Sequence, residues 1–340
     1  MGSPVQGAYR GLMTRLTTPF TVRTTAAEIL AGVDLTGRRM IVTGGASGLG
    51  AATVRALAGA GAEVTVAIRN PAAAAALVTE IPGLQVAALD LSDLASVRRF
   101  AATWDGPLHA LVANAGVMAV PTRQLTAAGW EMQLAVNYLG HFALALGLHP
   151  ALRSAGDARV VVVTSGAQLR SGVDFGDPHF AQRPYDPWTA YAQSKTADVL
   201  LAVGIAQRWA ADGIIANASA PGRIHTALQR HLDTATMQAM GAMTETGALI
   251  HPENFKTPDQ GAAPAVLLAA SPLAAAVTGR YVDEDNQEAE TVPGGPDAPS
   301  GVAAWALDPA AADHLWELAA ATLAVPGTPD PHAVAAPVLP

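Results

Sequence analysis

The chain has 340 residues, 50% hydrophobic and only 14% charged, enough apolar material to bury a large core and too much for a disordered polymer. A formal net charge of −8, with no cluster of Lys or Arg, disfavours nucleic acid as the main partner. The absence of cysteine excludes disulfides, thiolate metal sites and cysteine nucleophiles, and the nine histidines show no metal-ligand spacing, so no metal is expected.

Residues 1–35 read as a variable lead-in, with Ala26–Leu30 a short helix. From Arg39 the pattern becomes strand, turn, helix. Met40-Ile41-Val42 has the short apolar run of a buried parallel strand, and Ala51–Ala60 follows as an alanine-rich helix. Strands are predicted at Glu63–Ile68 and Leu84–Leu89, then a helix over Ser92–Trp104 capped by Ser92. Ala110–Ala113 is the next strand, Thr126–Leu148 a helix, and Arg159–Val163 a strand. Ser171–Trp188 is a long aromatic loop leading to a helix over Ala190–Trp209, and Ile214–Ala218 is a further strand. Thr257-Pro258-Asp259-Gln260 has the form of a capping box opening a helix, with a last strand near Thr278–Val282. Asp308-Pro309 caps a helix through Leu323 whose stripe of Leu315, Trp316, Ala319 and Leu323 would dock on the core or at a subunit contact.

Strands alternating with helices imply an α/β, doubly wound Rossmann-type parallel sheet flanked by helices. The absence of a linker or repeat makes residues 36–325 one domain with an added C-terminal helix, followed by a tail over 326–340 expected to fray. No run reaches the ~18 uninterrupted apolar residues of a membrane span, and Met1-Gly2-Ser3-Pro4 opens no secretory signal. A cytoplasmic protein with no membrane partner is expected.

Two features carry chemistry. Between the first strand and its helix stands Thr43-Gly44-Gly45-Ala46-Ser47-Gly48-Leu49-Gly50. Gly44, Gly48 and Gly50 would let main-chain amides reach a pyrophosphate at the positive end of the helix. At the end of the second strand an acidic residue would bind the ribose 2′-hydroxyl of NAD, whereas arginine accommodates a 2′-phosphate. The residue is Arg69, followed by Asn70, which favours NADP(H) over NAD(H), although a solvated loop arginine would look the same and Ser47 adds no second cation. The second feature is Tyr191 and Lys195, four apart on a predicted helix, with Ser165 ending a strand upstream. Residues i and i+4 share a helix face, so the ammonium can approach the phenol and ease its ionisation. Each has a plainer reading: an exposed amphipathic pair for Tyr191 and Lys195, a turn cap for Ser165.

In this order the residues resemble the short-chain dehydrogenases/reductases. The turn Thr43-Gly44-x-x-x-Gly48-x-Gly50 is similar to that family's cofactor fingerprint, Asp90-Leu91 to its adenine-contacting pair, and Asn114-Ala115-Gly116 to the turn that steadies its central sheet. Ser165, Tyr191 and Lys195 match its catalytic centre, Asn137 its tetrad asparagine, and Pro221-Gly222-x-Ile224-x-Thr226 its nicotinamide-carboxamide segment. The wording Val136–Phe142 and Arg183–Trp188 is most similar to the retinol-dehydrogenase-like branch and its bacterial relatives. Departures are Ala220, where that branch often has histidine, and Arg223, where small or apolar residues are common. No run in the sequence resembles the membrane anchor of the animal retinol enzymes, so a membrane-bound retinoid role is not expected.

The resemblance implies carbonyl reduction in which Tyr191 gives the proton, Lys195 stabilises the tyrosinate and holds the nicotinamide ribose, Ser165 holds the substrate oxygen and Asn137 positions a relay water. Cofactor contacts would fall to Gly44, Ser47, Gly48, Leu49, Gly50, Arg69, Asp90, Leu91, Asn114, Ala115, Gly116, Tyr191, Lys195, Pro221, Gly222, Ile224 and Thr226. The partner would be a small hydrophobic carbonyl or alcohol, and the assembly a homodimer or homotetramer. Met237, Met240 and Met243 at helical spacing, within a lid region over 223–256, suit an adaptable apolar pocket. Gln168, Leu169, Phe180 and Trp188 are further candidates for its wall. Reduction of an activated C=C or imine remains open, as does a non-catalytic NADP(H)-binding regulator, although a pure binder has no need of Asn137, Ser165, Tyr191 and Lys195 together.

Overall fold

Seven strands form a sheet in the order β3-β2-β1-β4-β5-β6-β7, every neighbouring pair parallel. They are β1 (Arg39–Thr43), β2 (Glu63–Ile68), β3 (Gln85–Ala88), β4 (Ala110–Ala113), β5 (Arg159–Val163), β6 (Ile215–Ser219) and β7 (Tyr281–Val282). The structure is a computed structural model, which describes residues 15–224, 244, 246, 250, 255–295 and 297–324. Because β1 pairs with both β2 and β4, the strand order reverses there, and a crevice opens at the carboxyl ends of these strands, where open α/β sheets bind ligands.

Both faces of the sheet are apolar, as a doubly covered sheet requires. Along β5, Val160 and Val162 join one core while Val161 and Val163 join the other. The second core is closed by α1 (Ala26–Ile29), α2 (Gly48–Gly59), α3 (Ala75–Glu80) and α8 (Pro258–Ala270). The first is closed by α4 (Leu94–Ala102), by α5 (Met132–Leu134), which runs through a π turn at Ala135–Leu139 into α6 (Gly140–Ala155), and by α7 (Pro187–Trp209) and α9 (Pro309–Leu323). The described residues form a single Rossmann-type domain.

Caps explain most helix starts. Thr257 and Gln260 make the reciprocal capping box, Asp186 caps Thr189 and Asp308 caps Ala310. Several boundaries differ from the sequence reading; α6 runs on to Ala155, past the expected end at Leu148. Asp93, not Ser92, caps α4, while Ser92 instead bonds Asp90. Residues 126–131 do not open the following helix: Gly129 at φ +78° closes a tight turn, and Leu125 bridges Glu131. α9 docks on the core of its own chain, with Trp316 edge-on to Phe142 and Trp209, and the Tyr138 hydroxyl donates to the Leu315 carbonyl at 3.2 Å. The lead-in is tied down at Leu16 and Thr18, whose amides donate to the side chains of Glu288 and Gln287.

Candidate active site

The glycine turn follows β1 directly. Gly44 and Gly48 adopt left-handed backbone at φ +68° and +52°. A Cβ on Gly50 would strike the Gly44 carbonyl and lie 2.7 Å from Asn114 Nδ2, so the turn closes this tightly only with glycine. Ser47 stands exposed at the N-cap of α2 without a side-chain capping bond, leaving the first amides of the helix for an outside acceptor. These residues fit a dinucleotide pyrophosphate. Asn114 stitches the neighbouring strand end to the turn, its side chain donating to the Thr43 carbonyl at 2.8 Å, while the Asn114 and Ala115 amides donate to Thr43 Oγ1, each at 2.9 Å. Leu49 and Ile224 both pack against Gly261 of α8, which brings the Pro221–Ile224 segment beside the turn.

Arg69 is exposed just past β2 and makes no hydrogen bond or ion pair to another described residue, so its guanidinium is available. Asp90 lies two residues past β3 with Oδ1 bonded to Ser92. The Leu91 side chain is buried in the core against Gly140, so only its main chain can face a ligand. Gly222, at φ +83°, lies against Glu284.

The other half of the site hangs from β4, β5 and α7. Tyr191 and Lys195 lie on one face of α7, with Lys195 Nζ 5.7 Å from the phenol ring centre. Gly116 packs between Asn137 and Lys195, where a Cβ would lie 3.1 Å from Asn137 Oδ1 and 3.8 Å from Lys195 Nζ. Asn137 sits in the π turn with both side-chain donors used: Nδ2 donates to the Val117 carbonyl (3.0 Å) and Ser194 Oγ (2.8 Å), and Oδ1 accepts from the Val117 amide (2.8 Å). Its carbonyl accepts from His141 Nδ1 at 2.7 Å. That bond sets the tautomer, because a carbonyl can only accept; Nε2 is therefore the acceptor for the Thr43 hydroxyl at 2.9 Å. Burial holds His141 down to about 4, so the ring is neutral near pH 7. Ser165 accepts from the Ala167 amide at 3.2 Å, a turn cap that leaves its own hydroxyl proton to donate. Ala167 and Trp188 pack with Met118, Ala119 and Tyr191 in a small apolar cluster, and Trp188 meets the phenol edge-on at 6.3 Å.

The family model for short chain dehydrogenase matches residues 38–236. The chain belongs to the short-chain dehydrogenases. This dehydrogenase is 65% identical over 296 residues to the "Probable oxidoreductase" of Streptomyces lividans, covering 86% of this chain and 99% of that one. It is 40% identical over 269 residues to the "Polyprenol dehydrogenase" of Mus musculus, covering 75% and 77%. Among solved structures it resembles an uncharacterised Mycobacterium paratuberculosis protein at 32% identity and a TM-score of 0.67, covering 88% of this chain and 97% of that one. It is an oxidoreductase of a family that works with a nicotinamide cofactor.

Three of the candidates for the substrate wall, Gln168, Leu169 and Phe180, are buried away from Tyr191. Gln168 is fully buried and bridges the Gly301 carbonyl and the Ala303 amide, both at 2.9 Å, and Leu169 lies in the main core. The short turn Gly166–Leu169 after Ser165 folds these two inward and leaves Ala167 beside Tyr191. Phe180 is likewise buried, stacked under Arg183. Thr226, Met237, Met240 and Met243 lie outside the described residues, as does most of the 223–256 region. Sequence reasoning missed Met118, Ala119, His141, Ser194 and Asp198. Only Asp198 carried a signal, a lone carboxylate in the otherwise apolar run Ala197–Ile205.

Proposed function

We propose that this dehydrogenase interconverts a lipophilic ketone or aldehyde and its alcohol, using NADP(H). The observation that carries the reading is the Tyr191 phenol, set in an apolar cluster with Met118, Ala119 and Trp188 while the Lys195 ammonium approaches its ring. When bound, the nicotinamide cofactor supplies or accepts the hydride. Tyr191 gives its proton to the carbonyl oxygen in reduction and takes it back in oxidation, and Ser165 donates a hydrogen bond to the same oxygen. Lys195 favours the phenolate by its charge. Asn137, bonded to the Val117 main chain and to Ser194 beside Lys195, would position a water for proton relay. The α2 amides bind the pyrophosphate, and the unengaged Arg69 takes the 2′-phosphate that distinguishes NADP(H). The apolar cluster selects a lipophilic substrate, in keeping with the polyprenol dehydrogenase among the relatives.

Titration with NADPH and, separately, NADH, followed by nicotinamide fluorescence, tests the cofactor. Tighter NADPH binding is the expected result, and equal or NADH-favoured binding would overturn the role of Arg69. A series of ketones of rising chain length then tests the substrate class, with kcat/KM expected to climb with apolar size. No turnover of any ketone or aldehyde would remove the carbonyl reading.

A further inference from the structure

Lys195 does not serve Tyr191 alone. Its Nζ donates to Asp198 Oδ2 at 2.7 Å and to the Val163 carbonyl at 3.1 Å, and the two charged side chains are only 6% and 1% exposed. An ammonium has three donors, so two are occupied by the next turn of α7 and by β5, leaving one for the reacting side. Asp198 is equally dependent on the lysine, since its Oδ1 is buried with no hydrogen-bond partner among the described residues.

We propose, on the basis of the carbonyl-reduction reading above, that Asp198 is a positioning residue: it anchors Lys195 and offsets part of the ammonium charge, and thereby sets the pH at which Tyr191 exchanges its proton. An interior carboxylate persists only beside a cation, so the pair acts as a unit. Burial pushes Asp198 up to about 7 even with the lysine beside it; at Lys195 burial is opposed by the charges of Asp198 and Tyr191 and by the hydrogen bond to Asp198, which together raise that group. Among the described residues no other neighbour supplies comparable charge. On the α5–α6 run, Tyr138 is raised by burial and stays protonated, and His141 is neutral near pH 7. Arg208, which acts on Tyr138, is paired with Asp313 at 2.7 Å. β5 offers Lys195 a main-chain carbonyl, and Thr164 Oγ1 bonds the Lys195 carbonyl.

The test is an NMR titration of the full-length protein labelled at the Cζ carbon of its five tyrosines, with Tyr191→Phe identifying the resonance of Tyr191. Asp198→Asn keeps an acceptor for Lys195 and removes the negative charge, leaving the Tyr191 phenolate as the counter-ion that holds Lys195 charged. Its Tyr191 midpoint should fall by about one pH unit relative to wild type, the size of a unit charge acting across the ~10 Å that seven helical residues span, at an effective dielectric of about 20. The surface variant Asp313→Asn should leave the midpoint in place. Asp198→Leu, branched at the same carbon and with no polar side-chain atoms, repeats the test and should shift the midpoint the same way. An unchanged or raised midpoint in the Asp198 variants overturns the proposal, and so does failure of both to fold, which would make Asp198 a folding residue only. The titration needs neither cofactor nor substrate. Loss of the functional reading would appear instead as absent NADPH binding or absent carbonyl turnover, with the midpoint shift still measurable.

Discussion

At the glycine turn the working groups are main-chain amides, exposed because side chains are missing: a Cβ on Gly50 would strike the Gly44 carbonyl. On α7 the working groups are side chains, and what surrounds them is other side chains, with Lys195 bonded to Asp198 and Tyr191 packed on Trp188 and Met118. The turn is therefore sensitive to added volume and the helix to altered charge. A binding surface made of backbone is specified by sterics, whereas a proton-transfer centre is specified by which ions face it.

The largest effect should come from the helix. Tyr191→Phe removes one hydroxyl without changing shape, and steady-state kinetics on a lipophilic ketone should show kcat reduced by about 10³-fold while NADPH fluorescence titration shows unaltered affinity. Joint loss of both would erase the distinction between the two regions. Next is a pH effect from the neutral, buried His141. Its folded value, about 4, lies below the unfolded 6.5, so its contribution is whole above pH 6.5 and is lost as pH falls toward 4. That difference amounts to ~3 kcal/mol. Urea unfolding at a series of pH values should show the decline in wild type and a flatter profile in His141→Gln.

Gly50→Ala tests the turn by volume alone. It should cost ~1–3 kcal/mol of stability in thermal or urea unfolding and weaken NADPH, yet leave the Tyr191 titration untouched. The smallest effect sharpens the cofactor side: Arg69→Asp should reverse preference from NADPH toward NADH by about tenfold in Kd, the worth of one charge-assisted contact. An unaltered ratio would mean that Arg69 is a surface charge only.

Legibility in the sequence followed the same division. β2, β4 and β5 occupy the residues that apolar runs indicated, and the turn between β1 and α2 announced itself through three glycines. Tyr191 and Lys195 were readable because i, i+4 spacing is a property of any helix. The wall of the substrate cluster was not. Gln168 and Leu169 turn inward because a short helical turn after Ser165 reorients them, and Met118 and Ala119 enter through an irregular segment after β4 with Ala119 at φ +50°. Neither direction has a periodicity to betray it. The failed helix start at 126–131 did leave a trace, in Gly129, which favours the left-handed turn seen there.

The docking of α9 also bears on the order in which the molecule can assemble. The outer side of α7 is covered by a helix that follows it far along the chain, with Trp316 set against Gly204. During vectorial synthesis the helix carrying Tyr191 and Lys195 would leave the ribosome long before the segment that shields it. Its apolar flank would wait uncovered through that interval, exposed to chaperones and to self-association. Maturation of the proton-transfer centre is thus tied to a late step of folding, and the cofactor crevice between β1 and β4, formed from earlier segments, can take shape first.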